Sequence, residues 1–289
     1  MKKILLLAAL TFIVFSCKEA KKETAVEDKE MAKPAVKLYT FAGGTVQANM
    51  LTLFSQDTTY QGQSREFADP FYVIVHPKGN LIWDTGLPDA LVASPEPITP
   101  PGGAFTISRK DSTINQLKSI GLTPKDFKYI ALSHTHFDHS GAANLFKDAT
   151  WLVQGIEYDS ITSETSKANP ANGYNAIKEL TNVQKLNGDH DVFGDGTVIL
   201  KSTPGHTPGH MALYVDLVES GAMLLSGDLY HLVENRTYKR VPSFNYDVDL
   251  TLKSMETFEN FAKEKNAKVV LQHVKEDFNK MPKAPKYLN

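Results

Sequence analysis

The sequence contains one cysteine, Cys17, among 289 residues. A single thiol cannot close an intramolecular disulfide, and it cannot supply the several thiolates of a cysteine-type structural zinc site. Both kinds of small cross-linked scaffold are therefore excluded. The fold must be stabilised by a hydrophobic core or by metal ions held through other side chains.

The chain also lacks an excess of charge of either sign. It has 31 Lys and Arg against 33 Asp and Glu, a formal net charge of −2, and no long basic run in its body. Nucleic acid is therefore not expected as a partner, because its phosphates attract a basic surface. With 42% hydrophobic residues, the chain can bury the core of one large domain or two small ones. The expected partner is a small molecule.

No apolar run is long enough to cross a bilayer. The first residues, MKKILLLAALTFIVFSC, have a basic start, an apolar run from Ile4 to Phe15 and a small residue before Cys17. These features are typical of a secretory signal. The VFSC ending resembles the lipobox of bacterial lipoproteins, in which the cysteine is lipidated. Cys17 is therefore expected to be a membrane anchor and not a catalytic thiol.

These features divide the chain into three parts. Residues 1–17 are expected to form a lipoprotein-type signal peptide, the charged residues 18–35 a flexible solvated tether, and residues 36–289 the folded domain. The mature protein is then an exported, membrane-anchored lipoprotein that faces the periplasm or the cell exterior.

From residue 36 onwards, short apolar runs alternate with helical stretches. KLYTF, FYVIVHPKGNLIWDTG, KYIALSH, AMLLSGDLY and AKVVLQHV contain strand patterns, and DVDLTLKSMETFENFAKEKN is a long amphipathic helix pattern. Strands with interspersed helices in both halves predict a layered α/β architecture. Residues 94–108, rich in proline and glycine, predict a loop that covers a site. Residues 160–185 predict a helical insertion.

The nine histidines are unevenly distributed along the chain. Four residues of metal-ligating type occur within HTHFDH, namely His134, His136, Asp138 and His139. In an extended chain His134 and His136 point to the same side, while Asp138 and His139 lie on the turn beyond. Two pairs of ligands aimed at different points fit two metal ions better than one. Imidazole and carboxylate ligands suit zinc, iron or manganese.

Further residues of ligating type lie where predicted strands end. His210 follows a strand and a double Pro-Gly turn, Asp228 follows MLLSG, and His273 follows KVVLQ. Ligands gather at strand ends in α/β sheets, because the loops there aim side chains into a shared crevice. We therefore expect these three residues to converge with HTHFDH on one metal site.

Together, HTHFDH, TPGHTPGH, SGDLY and LQH resemble the metallo-β-lactamase superfamily. The resemblance covers residues 36–289 and implies an α/β fold, a four-layer αββα sandwich, with a dinuclear metal site between the two sheets. It implies two divalent metal ions, with Zn²⁺ as the expected choice. By position, the ligands would be His134, His136 and His210 for the first ion, Asp138, His139 and His273 for the second, and Asp228 as a bridge.

Two more residues match positions of the family. The family pattern places the ligand of TPGHTPGH at its second histidine, so His206 would be a turn residue or a support for a ligand. Asp84 in WDTG would accept a hydrogen bond from a ligating imidazole. Both residues would then act on the metal ions only through other side chains.

Within the superfamily, the closer resemblance is to the N-acyl-homoserine lactonases. SHTHFDHSGAANLF and GDLYHLVENR carry this resemblance. It implies a small acylated lactone as substrate, whose ring is opened by a hydroxide that bridges the two metal ions. A bridging Asp228 disfavours the zinc β-lactamases, which usually lack such a ligand. Nucleases are disfavoured because they would bring a basic groove.

One position departs from the lactonase pattern. Many of these enzymes have a tyrosine three residues after the bridging aspartate, where this chain has His231, with Tyr230 one residue earlier. His231 could donate the same hydrogen bond to the lactone or act as a general acid, since histidine titrates near neutral pH. The candidate catalytic residues are therefore Asp138, Tyr230 and His231.

An acyl chain also needs an apolar pocket. The candidate lining residues come from the early loop and from the proline-rich segment, and they are Met50, Leu51, Phe54, Phe105 and Ile107. Three other functions remain open. They are a promiscuous esterase or phosphotriesterase of the same fold, a persulfide dioxygenase that uses a single iron, and a lipoprotein that only sequesters metal or a ligand.

Overall fold

The computed structural model describes residues 33–169 and 173–289. The expected signal peptide, the lipidation site Cys17 and the tether up to residue 32 lie outside the described residues, so these three expectations stay predictions. Within the described part, Lys33 forms an ion pair with Asp216, and Val36 is fully buried. The helices that the structure describes are all too short or too polar to cross a membrane.

One sheet of the fold has seven strands. They are β1 (Lys37–Ala48), β2 (Arg65–His76), β3 (Gly79–Trp83), β4 (Phe105–Ser108), β5 (Phe127–Ala131), β6 (Thr150–Gln154) and β7 (Val183–Leu186). Their order across the sheet is β4-β1-β2-β3-β5-β6-β7. The sheet is mixed, because β4, β1, β2 and β3 pair antiparallel whereas β3, β5, β6 and β7 pair parallel.

The other sheet has five strands. They are β8 (His190–Asp191), β9 (Val198–Ser202), β10 (Met211–Leu217), β11 (Gly221–Leu225) and β12 (Lys268–Val270), and their order is β12-β11-β10-β9-β8. Only β11 and β12 pair parallel. The carboxyl ends of these two strands therefore lie side by side, and the loops after them start from the same edge.

The helices are mostly short. They are α1 (Thr113–Lys118), α2 (Phe137–Ser140), α3 (Gly155–Ile161), α4 (Glu164–Ala168), α5 (Tyr174–Ile177), α6 (Val233–Tyr238), α7 (Val248–Glu264) and α8 (Lys275–Lys280). The longest helix in the described part of the chain is α7. It begins after Asp247, whose side chain accepts a hydrogen bond from the amide of Leu250 at 2.8 Å. This carboxylate satisfies one of the free amides of the first turn and favours a helix start at this point.

The hydrophobic clusters show how the layers stack. The largest lies between the sheets, where Trp83 of one sheet and Leu225 of the other are fully buried. A second cluster packs the outer face of the seven-stranded sheet against helices through residues such as Leu117, and a third packs α7 onto the five-stranded sheet through Met255 and Phe258. The order helix, sheet, sheet, helix confirms the four-layer α/β sandwich.

Two segments differ from the sequence-based expectation. The proline-rich segment 94–108 ends as β4, which pairs with β1 from Phe105 opposite Ala48, so part of the expected loop belongs to the sheet. The segment 160–185 contains α4 and α5 but ends in β7, which pairs with β6 as the edge strand. A four-residue edge strand carries little periodic signal, because burial on only one face of so few residues gives no clear alternation.

Candidate metal centre

Asp84 ties together the strand ends that carry the site. It directly follows β3 with a left-handed backbone (φ 55°), and both of its carboxylate oxygens are buried. One oxygen accepts a hydrogen bond from the amide of Ser133 after β5 at 2.6 Å. The other lies 2.7 Å from Nε2 of Gln272 after β12 and 2.9 Å from Nδ1 of His139. As expected from the sequence, Asp84 holds an imidazole, and it orients the Nε2 atom of His139 towards Asp228.

The carboxylate of Asp228, which follows β11, lies between two sets of histidines. Its Oδ1 atom is 3.1 Å from Nε2 of His139 and 2.9 Å from Nε2 of His273. Its Oδ2 atom is 3.6 Å from Nε2 of His134 and 3.4 Å from Nε2 of His206. One carboxylate thus presents one oxygen to each set, which is the arrangement required of a bridging ligand.

The possible ligand atoms form two groups, within each of which all atoms lie within 4.8 Å of one another. The first ligand group is His134, His136, His206 and Asp228. The second ligand group is Asp138, His139 and His273. With the shared Asp228, each group offers four donors of the nitrogen and oxygen types that divalent transition metals bind.

The residues fit metal ions on their own chemistry. The Nε2 atom of His134 is buried and has no hydrogen-bond partner in the described residues, and the Oδ1 atom of Asp228 faces the Nε2 atoms of His139 and His273. A buried polar atom without a partner costs free energy unless something else binds it. A cation at each group would use these lone pairs, so the site has the composition of a dinuclear His/Asp metal centre.

The electrostatics of the two groups differ in the metal-free chain. Burial, together with the neighbouring histidines, holds the pKa of His134 and His136 well below the usual value. Burial would also lower the pKa of His273, but Asp228 and Asp138 outweigh it and raise this pKa to about 9. Without metal, His273 therefore carries a proton at neutral pH, and a metal ion must displace it.

The structure reverses the expected roles of His206 and His210. The Nδ1 atom of His210 lies 3.1 Å from the carbonyl oxygen of Thr203, so it carries the proton. Its Nε2 atom accepts a hydrogen bond from the amide of Asp228 at 2.9 Å. Both ring nitrogens of His210 therefore form hydrogen bonds, and neither has a free lone pair for a metal ion. His206 instead places Nε2 at 3.2 Å from Nδ1 of His136, inside the first ligand group.

His231 lies at the site, whereas Tyr230 does not. The Nε2 atom of His231 is 2.9 Å from Oδ2 of Asp228, on the side of the first ligand group. Tyr230 points to the other face of the sheet, where it packs on Phe258 and donates a hydrogen bond to Glu259 at 3.1 Å. The expected catalytic role of Tyr230 is therefore wrong, since alternation along the chain sends neighbouring side chains to opposite faces.

A cavity of about 280 Å³ opens above the metal centre. Of the five expected pocket residues, Phe54 and Phe105 line it. Met50 is 45% exposed, and Leu51 and Ile107 are buried in the core, so these three do not line the cavity. The rest of its wall is Val46, Leu53, Phe67, His136, Phe137, Asp138, Asp228, His231, Phe244 and His273.

Aromatic rings cover the ligands on the cavity side. Phe67 stacks on His273 with ring centroids 5.6 Å apart, and Phe54 contacts His231 at 4.9 Å. Sequence analysis missed Phe67, Phe137 and Phe244. A signal existed only for Phe137, which lies between two expected ligands in HTHFDH. Phe67 and Phe244 reach the site from distant parts of the chain, so only the fold could identify them.

The comparisons with known proteins agree with this site. The family described as the metallo-beta-lactamase superfamily matches residues 68–273. The chain is 30% identical over 264 residues to the N-acyl homoserine lactonase AttM of Rhizobium radiobacter, covering 87% of this chain and 98% of that protein. It is 28% identical over 224 residues to the N-acyl homoserine lactonase AiiA of Bacillus thuringiensis subsp. kurstaki, covering 75% and 85% of the two chains.

A solved structure extends the similarity to three dimensions. An N-acyl homoserine lactone hydrolase with the product N-hexanoyl-L-homoserine bound at its catalytic metal centre superposes with a TM-score of 0.75. The sequences are 28% identical, and the match covers 87% of this chain and 98% of the other. The likeness therefore extends over nearly the whole folded domain and includes both sheets.

Proposed function

The chain belongs to the metallo-β-lactamase superfamily and is a metal-dependent hydrolase related to N-acyl homoserine lactonases, and from this we propose that it opens the lactone ring of N-acyl homoserine lactones. The observation that carries the proposal is the place of Asp228, whose two oxygens face the two ligand groups at the base of a cavity. The other wall residues of this cavity are largely aromatic and aliphatic. The lactone group of the substrate would then lie at the two ligand groups, while its acyl chain would move from water into the cavity.

The cavity matches an acyl chain by its chemistry. Its wall carries Phe54, Phe67, Phe105, Phe137 and Phe244, while its polar side chains are His231 and members of the two ligand groups. Each buried methylene group contributes about 0.8 kcal/mol of transfer free energy. A pocket of this kind therefore favours the acyl chain over a charged or sugar-like substituent. The polar head of the substrate must then face the ligands at the base.

The residues of the site have separable tasks. Asp228 would hold both ions through its two oxygens, and Asp138 would complete the second ligand group. When bound, two divalent ions, zinc by our proposal, supply the Lewis acidity that activates water and polarises the ester carbonyl. His231 would donate a hydrogen bond from Nε2, either to Asp228 or to the lactone.

The structure changes one part of the earlier hypothesis for His231. Burial lowers the pKa of His231 to about 4, although Asp228 acts in the opposite direction. The imidazole is then neutral near pH 7, so it is a poor source of a proton for the leaving alkoxide. We therefore propose His231 as a hydrogen-bond donor and not as a general acid.

The test combines metal analysis with a panel of substrates. Purified protein should hold about two metal ions per chain and release acid from N-acyl homoserine lactones with short, medium and long acyl chains. Chelators should abolish this activity. Asp228→Ala should lose it as well. Asp126→Asn should keep it, because Asp126 is exposed, accepts hydrogen bonds from Thr123 and does not line the cavity.

Other outcomes would replace the proposal. Two metals with fast hydrolysis of aryl esters or phosphotriesters, but no ring opening, would identify a different hydrolase of the same fold. One iron per chain with oxygen uptake on a persulfide substrate would identify a dioxygenase. If Asp228→Ala left every hydrolysis unchanged, metal sequestration would be the better explanation.

We also propose that the protein is exported and anchored by a lipid at Cys17. The support is the apolar run from Ile4 to Phe15 that ends at VFSC. Expression in a bacterial host should place the protein in the membrane fraction, and Cys17→Ser should release it. Recovery of both forms in the same soluble fraction would contradict the anchor.

A further inference from the structure

Glu157 is a buried acidic residue that no motif of the sequence points to. It lies in α3, which follows β6, and only 3% of its surface is exposed. In the described residues no Lys, Arg or His forms an ion pair with it, so its carboxylate has no compensating cation. Because a buried carboxylate is costly unless it is fully hydrogen-bonded, its surroundings must satisfy it in another way.

The carboxylate is satisfied by two loops of the metal centre. Its Oε1 atom accepts hydrogen bonds from the amide of Thr135 at 3.3 Å and from the hydroxyl of Thr135 at 3.0 Å. Its Oε2 atom accepts a hydrogen bond from the amide of Gly209 at 2.9 Å. One side chain thus joins the HTHFDH loop to the TPGHTPGH loop.

Both contact points lie within three residues of a ligand of the first group. Thr135 lies between His134 and His136 in the chain, and Gly209 lies three residues after His206. The approach at Gly209 is so close that an added Cβ would be 2.6 Å from Cβ of Glu157. Only glycine allows the loop to come this near. Among the described residues, Glu157 forms no hydrogen bond with a member of the second ligand group.

We propose that Glu157 is a positioning residue for the first ligand group. By holding Thr135 and Gly209 on one rigid carboxylate, it fixes the separation of His136 and His206, whose ligand atoms lie 3.2 Å apart. It belongs to neither ligand group and does not line the cavity above the metal centre, so it would act on the ions through these loops. The inference concerns metal affinity and does not depend on which ester is hydrolysed.

The expected effect is confined to one of the two metal positions. Residues that orient metal ligands typically change metal affinity by about 10- to 100-fold when they are replaced. Loss of Glu157 should therefore weaken the ion at the first ligand group. The second ligand group is held separately, through Asp84 on His139 and the carbonyl of Ala68 on His273. Its affinity should stay close to that of the natural chain.

Two substitutions and one control test this inference on the full chain. Glu157→Gln keeps one acceptor oxygen but turns an NH₂ group towards one of the two loops, so it should weaken the first position by roughly tenfold. Glu157→Leu removes both contacts and should weaken it by about 100-fold. Glu164→Gln alters an exposed glutamate that pairs with Lys167 in α4 and should change neither affinity.

The readout is a zinc titration in competition with a chromophoric chelator, which separates the two affinities without any substrate. Circular dichroism confirms folding, and Glu157→Gln, of nearly the same shape, carries the test if Glu157→Leu does not fold. The inference is supported if zinc affinity falls at one position only, and if it falls further in Glu157→Leu than in Glu157→Gln. An equal loss at both positions, or no loss in folded Glu157→Gln, would overturn it.

Discussion

The Nε2 atom of His231 lies 2.9 Å from the Oδ2 atom of Asp228, the oxygen that faces the first ligand group. A carboxylate accepts and cannot donate, so this contact assigns the proton of the neutral imidazole to Nε2. The same Asp228 oxygen lies 3.4 Å from His206. His231 therefore contacts the carboxylate that we propose as the bridge, and it also lines the cavity.

Replacing His231 by Phe should lower kcat for lactone opening. The variant keeps a ring against Phe54 but loses the hydrogen bond to Asp228, a bond to a charged group that contributes about 1.5–3 kcal/mol. This corresponds to a decrease of roughly 10- to 100-fold. His231→Tyr, which restores a donor, should lose less. Steady-state kinetics of both variants checks the prediction.

The pH profile separates the two roles considered for His231. Because burial holds its pKa at about 4, the imidazole does not titrate between pH 5 and 8. His231→Phe should therefore lower kcat by the same factor across this range. If the natural chain showed an acid limb near pH 6.5 that vanished in the variant, the general-acid role would be restored.

Alanine at His206 and at His210 should have different consequences. His206→Ala removes a donor of the first ligand group, so one of the two ions should be lost or bound much more weakly. His210→Ala leaves the amide of Asp228 without its acceptor, which should cost about 1–3 kcal/mol of stability while both ions still bind. Elemental analysis and urea denaturation measure the two effects. The opposite pattern would return the ligand role to His210.

Metal removal should make stability depend on pH in a defined direction. Asp228 and Asp138 raise the pKa of His273 to about 9 in the folded, metal-free chain, above the value of 6.5 of an unperturbed histidine. Because the pKa of His273 is raised on folding, its protonation contributes to the free energy of unfolding. This contribution is fully present below pH 6.5 and is lost as pH rises through about 9. The chelator-treated protein should therefore lose stability over this window.

The metal affinity should change in the opposite direction over the same window. Each proton that an ion displaces makes the affinity about tenfold higher per pH unit, until His273 is deprotonated near pH 9. Thermal melts of the chelated and zinc-loaded forms at several pH values, with zinc titrations alongside, check both effects. Identical pH dependence of the two forms would contradict the protonated His273.

Shortening Phe105 should change the preference for acyl chain length. Phe105→Ala removes part of the cavity wall, and the lost contact with the chain is worth about 1–2 kcal/mol. The ratio of kcat/KM for long over short acyl chains should fall roughly tenfold. Ile107→Ala is the matched control, because Ile107 is buried two residues away and does not line the cavity. It should lower stability and leave the ratio unchanged.

The metal-binding residues were recognisable because their signal is local. HTHFDH gathers four residues of ligating type, and Asp228 and His273 follow directly on apolar strands. The end of a strand can be predicted from the composition of a few residues. The convergence of the side chains that follow these strands could therefore be predicted as well. Asp84 was named only because WDTG matches a position of the family, and the structure places it directly after β3.

The choice between His206 and His210 was not recognisable, because both have the same local sequence, Pro-Gly-His. Which of the two can bind a metal ion depends on the direction in which the turn points each imidazole ring. His210 directly precedes β10, and both of its ring nitrogens form hydrogen bonds, one with Thr203 and one with Asp228. His206 instead points towards His136 in the first ligand group. Tyr230 was misplaced for a related reason, since a short turn at Gly227–Leu229 decides which of two neighbouring side chains faces the site.

Composition and strand periodicity are local properties, and they were sufficient to predict the layered α/β class, the kind of metal ligands and six of the seven positions in the two ligand groups. They could not show that His206 completes the first group, that Phe67 and Phe244 join Phe54 and Phe105 around the cavity, or that Glu157 links two ligand loops. These contacts join residues far apart in the chain, and their geometry is fixed by how the two sheets pack.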